Sequence, residues 1–210
     1  MATKVAGELY KSITGQLFEI GRQLRQPNGY PFNPEELQRH LQAAIEGKFI
    51  YKIWKTIKLG TNGLKTVDDF CREAIKGCGM KIGDYANDIL GKPQFTAAIK
   101  EIEVDLVLVS VAELGFKGGA KLKDIYARAK ELGLELCLNE VGPQLRLQYV
   151  DQPKDELLVI GMEPITDSDD NLKLFYVVQN NGSLWLDSDY GYPGGSWGAG
   201  VRFVFVLPRK

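Results

Sequence analysis

The sequence predicts an α+β fold, with N-terminal helices packed on a mainly antiparallel β-sheet or small barrel formed by the C-terminal half. Three observations predict it. Apolar residues recur at helical spacing through the first 47 residues. A long alternating run, IEVDLVLVSV (Ile102–Val111), sits between helical segments. After Gly133 the texture changes to short alternating runs separated by turn residues. Residues 1–47 read as a helical hairpin and 48–210 as an α+β domain ending in a meander; one continuous domain is the alternative.

Leu9, Ile13, Leu17, Ile20 and Leu24 form one stripe of an amphipathic helix from about Gly7 to Gln26, stopped by Pro27-Asn28-Gly29. In FNPEELQRHLQAAIEG, Asn33 is the cap, Pro34 suits the first helical position and Glu36 completes a capping box. Leu37, Leu41, Ala44 and Ile45 then face inward, and Gly47 suits the end. Lys48–Gly60 fits helix and strand patterns alike; its β-branched and aromatic content favours a strand. Thr66 caps VDDFCREAIKG, with acids first and Lys76 last, as the helix dipole prefers. A shorter helix, IGDYANDIL, follows. Lys121–Leu132 is a helix with Leu122, Ile125, Tyr126, Ala129 and Leu132 inward. LELCL, QLRLQYV, ELLVIGM, LKLFYVV, SLWLD and VRFVFVL then read as strands of the meander, with GP, DQPKD, DSDDN, NNG and YPGG as its turns.

Composition excludes several classes. The 210 residues are 44% hydrophobic, enough for a sizeable core. The formal net charge of −1 gives no hint of a nucleic-acid or membrane partner. Charge is nonetheless polarised: residues 1–65 hold 10 basic and 5 acidic side chains, residues 139–210 hold 6 and 10. Complementarity within the chain explains this as well as a partner surface does. The three cysteines, Cys71, Cys78 and Cys137, do not form a disulfide framework, and the single histidine, His40, cannot complete a zinc site with them. The start, MATKVAGELYKS, lacks the apolar core of a secretory signal, and no window approaches about 18 apolar residues. The expectation is a reduced, cytoplasmic protein without a membrane span, a metal or a cofactor.

Tempting motifs fail on inspection. GFKGGAKL (Gly115–Leu122) lies where a phosphate-binding loop sits, but Ala120 replaces the second glycine and Leu122 the metal-binding hydroxyl. An ordinary glycine-rich turn is the default reading. TDSDDN places Asp167, Asp169 and Asn171 as in a calcium loop, but Leu172 stands where glycine is required and Val178 where glutamate is. A solvated hairpin turn is the better reading. The pair of short helices around CREAIKGCGMKIGDYANDIL mimics a helix-turn-helix, but Asp84 and Asp88 on the second would repel phosphates.

Two stretches remain as candidate sites. The chain closes with Trp185, Asp187, Asp189, Tyr190, Tyr192 and Trp197 around an expected loop, Ser188–Gly200. Aromatic faces with carboxylates suit a sugar or a peptide; the bland alternative is that the rings cover the open end of the sheet. Lys48, Lys52, Lys55 and Lys58 beside Tyr51 and Trp54 suit a phosphate backbone with stacked bases; the alternative is the wet face of a half-buried strand.

From Trp54 to Lys210, the segments WKTIKLGTNGLKTVDDF, GDYANDILGKPQF, ELGLELCLNEVGPQLRLQYVDQP and MEPITDSDDN resemble a family of uncharacterised bacterial proteins. The resemblance implies a bacterial, cytoplasmic origin and one continuous C-terminal unit, and carries over no catalytic residue. The functional expectation is a non-enzymatic binding or interaction module that uses the closing aromatic loop to hold a protein or small ligand. One alternative is nucleic-acid binding through Lys48–Lys58. The other is a hydrolase-type enzyme with a carboxylate site such as Asp68/Asp69, Asp167/Asp169 or Asp187/Asp189.

Overall fold

The computed structural model describes residues 7–26, 33–45, 51–64, 66, 68–70 and 75–209. The chain falls into two compact units, Met1–Ile50 and Tyr51–Lys210. The first contains helices α1 (Gly7–Gln23) and α2 (Pro34–Ile45). Asn33 begins α2 as its sequence predicts: Oδ1 accepts the Glu35 N–H at 2.9 Å and the carbonyl accepts the Leu37 N–H. Leu37 and Leu41 are half-buried and His40 is exposed. Ile13, Leu17, Leu24 and Ile45 are exposed, although the helical stripe predicts them inward. Periodicity marks an apolar face and does not say what covers it. The predicted stop at Pro27-Asn28-Gly29, the link between the helices, Gly47 and Lys48 lie outside the described residues.

The second unit is built on a sheet. Its strands are β1 (Lys55–Leu59), β2 (Lys81–Ile82), β3 (Ile102–Ser110), β4 (Ala120–Lys121), β5 (Leu157–Ile160), β6 (Ile165–Thr166), β7 (Leu172–Asn180), β8 (Ser183–Tyr190), β9 (Ser196–Trp197) and β10 (Arg202–Leu207). Three helices are interspersed: α3 (Asp84–Leu90), α4 (Leu122–Glu131) and α5 (Val141–Gln148). The main sheet runs β1-β3-β10-β5-β7-β8-β2, with β6 beside β7; β4 and β9 pair separately. The fold is α+β, with two corrections. The sheet is mixed, because β10 pairs with β5 and β8 with β2 in parallel. Helices are not confined to the N-terminus.

The helix-capping signal at Thr66 is realised. The Thr66 N–H donates to Asp69 Oδ2 at 2.7 Å and the Asp69 N–H returns to Thr66 Oγ1 at 3.3 Å, a reciprocal cap. Residues 71–74, including Cys71, lie outside the described residues. Cys78 is exposed and Cys137 buried. No described helix is long and apolar enough to cross a membrane.

The central strands explain why VRFVFVL is apolar at successive positions. Phe203, Val204 and Phe205 are all buried, so both faces of β10 are covered. On one face the α4 ring of Tyr126 meets Phe205 edge-on at 6.1 Å. On the other lies α5, so close to β7 that a Cβ on Gly142 would sit 2.8 Å from Phe175 Cβ. Helix α5 packs against β1 as well as β7 and β8. Three strands separate β1 from β7, so the sheet curls around α5.

Helix α5 occupies the stretch where alternation predicts a strand, QLRLQYV. The polar residues decide the outcome. Glu140, Gln144 and Gln148 recur every four residues and tie surrounding backbone to the helix. The buried Glu140 carboxylate accepts the N–H groups of Gly60 (2.7 Å) and Ala98 (2.6 Å) and the Gln144 amide (2.9 Å). The Gln148 side chain accepts the Lys58 N–H at 3.0 Å and donates to the Lys58 carbonyl at 2.7 Å, which satisfies the open edge of β1. Pro143 falls in the first turn, where its missing N–H costs nothing. LELCL is likewise not a strand: Glu135 and Cys137 make single bridges to Val206 and Met162.

Candidate functional site

The β7–β8 hairpin positions the acid and aromatic residues of the chain's end. Its turn is Asn181-Gly182, both in the left-handed region, which suits a tight hairpin between twisted strands. The register pairs Asn180 with Ser183 and, at the far end, Lys173 with Tyr190. Strand β8 therefore runs to Tyr190, past the predicted SLWLD.

Lys173 is the centre of the cluster. It is buried, 3% exposed, yet its ammonium lies over two tyrosine rings, 3.8 Å from the centroid of Tyr190 and 4.2 Å from that of Tyr85 on α3. Asp167 Oδ2 lies 3.8 Å from Nζ. Asp167 is itself held by the β6–β7 turn, where Oδ1 accepts the N–H groups of Asp169 (2.9 Å) and Asn171 (2.8 Å). TDSDDN is thus a hairpin turn, and among the described residues no group of acids, cysteines or histidine is arranged to hold a metal. The turn is clamped to α3: Asp88 accepts the Ser168 N–H at 2.6 Å and its hydroxyl at 2.7 Å.

Around this anchor three tyrosines reach solvent. Tyr190 is 53% exposed, Tyr85 48% and Tyr192 40%. Tyr190 and Tyr192 stack with centroids 5.8 Å apart and planes 20° apart. The Tyr192 hydroxyl donates to Asn171 Oδ1 at 2.7 Å. The Asp169 carboxylate, through its charge and by accepting a hydrogen bond from the Tyr85 hydroxyl, raises that hydroxyl above its ordinary pKa. Asp169 and Asp170, in the turn that holds Asp167, are exposed. The rings are therefore fixed in place, with the exposed Asp169 carboxylate beside Tyr85.

The other predicted loop residues separate from this cluster. Trp185, Asp187 and Asp189 point to the opposite face of β8 from Tyr190, as strand alternation requires. Trp185 takes the Lys81 ammonium at 5.0 Å. Asp187 lies against Gly83, where a Cβ would sit 2.1 Å from Oδ1; burial raises the Tyr176 hydroxyl above its ordinary pKa, and the neighbouring Asp187 carboxylate raises it further. Trp197 packs edge-on to Phe203 at 5.1 Å and is half-buried. The stretch after Tyr190 also folds onto the helical layer: β9 pairs with β4, and the carbonyls of Gly195 and Pro193 accept the Leu122 and Lys123 N–H groups that open α4. The closing segment thus combines the two readings, Trp197 packed and Tyr190 and Tyr192 presented.

Those same carbonyls occupy the first amides of α4, so the glycine-rich segment before it is a turn and not an anion cradle. In the basic stretch, Lys52 is exposed and Lys48 lies outside the described residues. Trp54 meets Tyr149 edge-on at 5.1 Å; Lys55 lies 4.6 Å over Tyr149 and 3.9 Å from Asp151. Lys58 pairs with Glu101 at 2.8 Å. Each of these two lysines has an internal partner.

Tyr85 and Lys173 join the site although no candidate site in the sequence includes them; Asp167 and Asn171, which the sequence offers only as a calcium-like loop or a carboxylate pair, join it as the anchors of Lys173 and Tyr192. Tyr85 is carried by α3, about a hundred residues earlier in the chain. For Lys173 a signal existed: it is a lysine at an inward position of LKLFYVV. No protein-family model, curated protein or solved structure matches the chain.

Proposed function

We propose that the chain is a non-enzymatic binding module whose contact surface is the tyrosine platform of Tyr85, Tyr190 and Tyr192, and whose ligand is a lysine- or arginine-bearing peptide segment. The stacked and exposed Tyr190–Tyr192 pair, anchored by Lys173 and Asn171, carries this reading. Rings held by neighbours lose little freedom on binding, which favours association. Lys173 already shows that an ammonium group sits well on these rings, and its charge is answered by Asp167. The exposed carboxylates of Asp169 and Asp170 are left to attract a further cation. A sugar would use the rings but not the surplus of negative charge.

The test is a fluorescence-anisotropy screen of short peptides varied in charge. Basic peptides should bind and acidic ones of equal length should not. Tyr190→Ser with Tyr192→Ser should weaken binding about tenfold, a loss typical of removing aromatic anchors. Equal binding by the double variant overturns the proposal.

A further inference from the structure

A second site lies at the other end of the closing segment. A cleft of about 580 Å³ opens between the glycine-rich turn leading into α4 and strand β9. That volume suits a small organic ligand. Phe116 and Trp197 give it two partly exposed aromatic rings. Trp197 is steadied from behind by Phe203.

The glycines are the telling feature. Gly119 has a fold reason to be glycine: its φ is +87° and a Cβ would meet the Trp197 carbonyl oxygen at 2.6 Å. Gly118 and Gly198 have none. Neither has a left-handed backbone, and a Cβ on either would meet nothing within 4 Å. Both line the cleft. A side chain at either position would enter open space at the edge of the cleft.

Charge sets the ligand class. Lys121 and Lys123 are exposed at the cleft, and neither ion-pairs with a carboxylate among the described residues. Asp124 is the one opposing carboxylate in the lining; it sits in the first turn of α4, where the positive end of the helix dipole offsets it. The balance is positive. The opening amides of α4 are already bonded to Pro193 and Gly195, so an anion here meets lysine side chains and not the helix end.

We propose that this cleft binds a small planar anion, a ring bearing a phosphate or a carboxylate. The ring lies against Phe116 and Trp197, and the charge lies between Lys121 and Lys123. The site is independent of the tyrosine platform and shares no residue with it.

The experiment titrates the full chain, by NMR of the tryptophan indole N–H groups, with adenosine monophosphate, uridine monophosphate and indole-3-carboxylate. Adenosine and inorganic phosphate are the controls. At least one of the three planar anions should bind with a Kd below about 1 mM and shift the Trp197 resonance, while each control binds at least about tenfold more weakly. Gly198→Val and Gly118→Leu should keep the Tm of the parent and lose that binding; Lys121→Ala with Lys123→Ala should weaken it about tenfold and remove its salt dependence. Failure of all three anions to shift Trp197 overturns the proposal. So does undiminished binding by a folded glycine variant, or inorganic phosphate binding as tightly as the best planar anion.

Discussion

The Lys173 ammonium lies 3.8 Å from the centroid of its cross-strand partner Tyr190, beneath a ring that is half exposed. One buried cation thereby joins the β6–β7 turn, through Asp167, to helix α3, through Tyr85. Lys173→Met keeps the bulk and removes the charge. Asp167 is then a buried carboxylate without its cation, and the variant should lose about 3 kcal/mol of stability in urea titration. An unchanged midpoint would mean that the turn's own amides suffice for Asp167.

Glu140 makes a comparable junction at the opposite edge of the sheet. Its carboxylate accepts backbone N–H groups from two loops, at Gly60 and Ala98. Glu140→Gln offers one acceptor where two are needed and turns an NH₂ toward a donor. The cost should be about 2 kcal/mol. Hydrogen exchange should quicken at Gly60 and Ala98 and stay slow in β10.

Gly142 tests the placement of α5 inside the curl of the sheet. An added methyl would lie 2.8 Å from Phe175, so either the helix or the ring must shift. Gly142→Ala should destabilise by about 1–3 kcal/mol, although alanine is the better helix former. A gain in melting temperature would mean that α5 stands off from β7.

Acid stability offers a further check. Hydrogen bonds from Arg209 and Thr56 hold the Asp105 carboxyl below its ordinary value of 3.8. Its folded pKa is therefore below its unfolded one. The stabilisation is complete above the unfolded value and fades as pH falls through the folded value. Asp105→Asn should be less stable than the parent at pH 6, and the two should converge toward pH 2. The comparison requires melting curves across that range; a gap that persists undiminished in acid would contradict it.

What could be read from sequence was local. Caps at Asn33 and Thr66 and strands such as Ile102–Ser110 follow from residue types and spacing. What could not be read depended on distant partners. QLRLQYV alternates like a strand, and becomes a helix because the sheet wraps around it and Glu140, Gln144 and Gln148 have loops and an edge to satisfy. The closing segment held half of the site in Tyr190 and Tyr192. Tyr85, Asp167 and Lys173 arrive through the register of β7 on β8 and the packing of α3 on that hairpin, which no short window encodes.

The proposed ligand of the tyrosine platform is a cationic peptide. Titration of the labelled full chain with an arginine- and lysine-bearing peptide, followed by amide and aromatic NMR shifts, tests it directly. Saturable shifts centred on Tyr85, Tyr190 and Tyr192 are expected, weakened by salt and absent with an acidic peptide. Shifts spread evenly over the surface, or none at these three tyrosines, would contradict it.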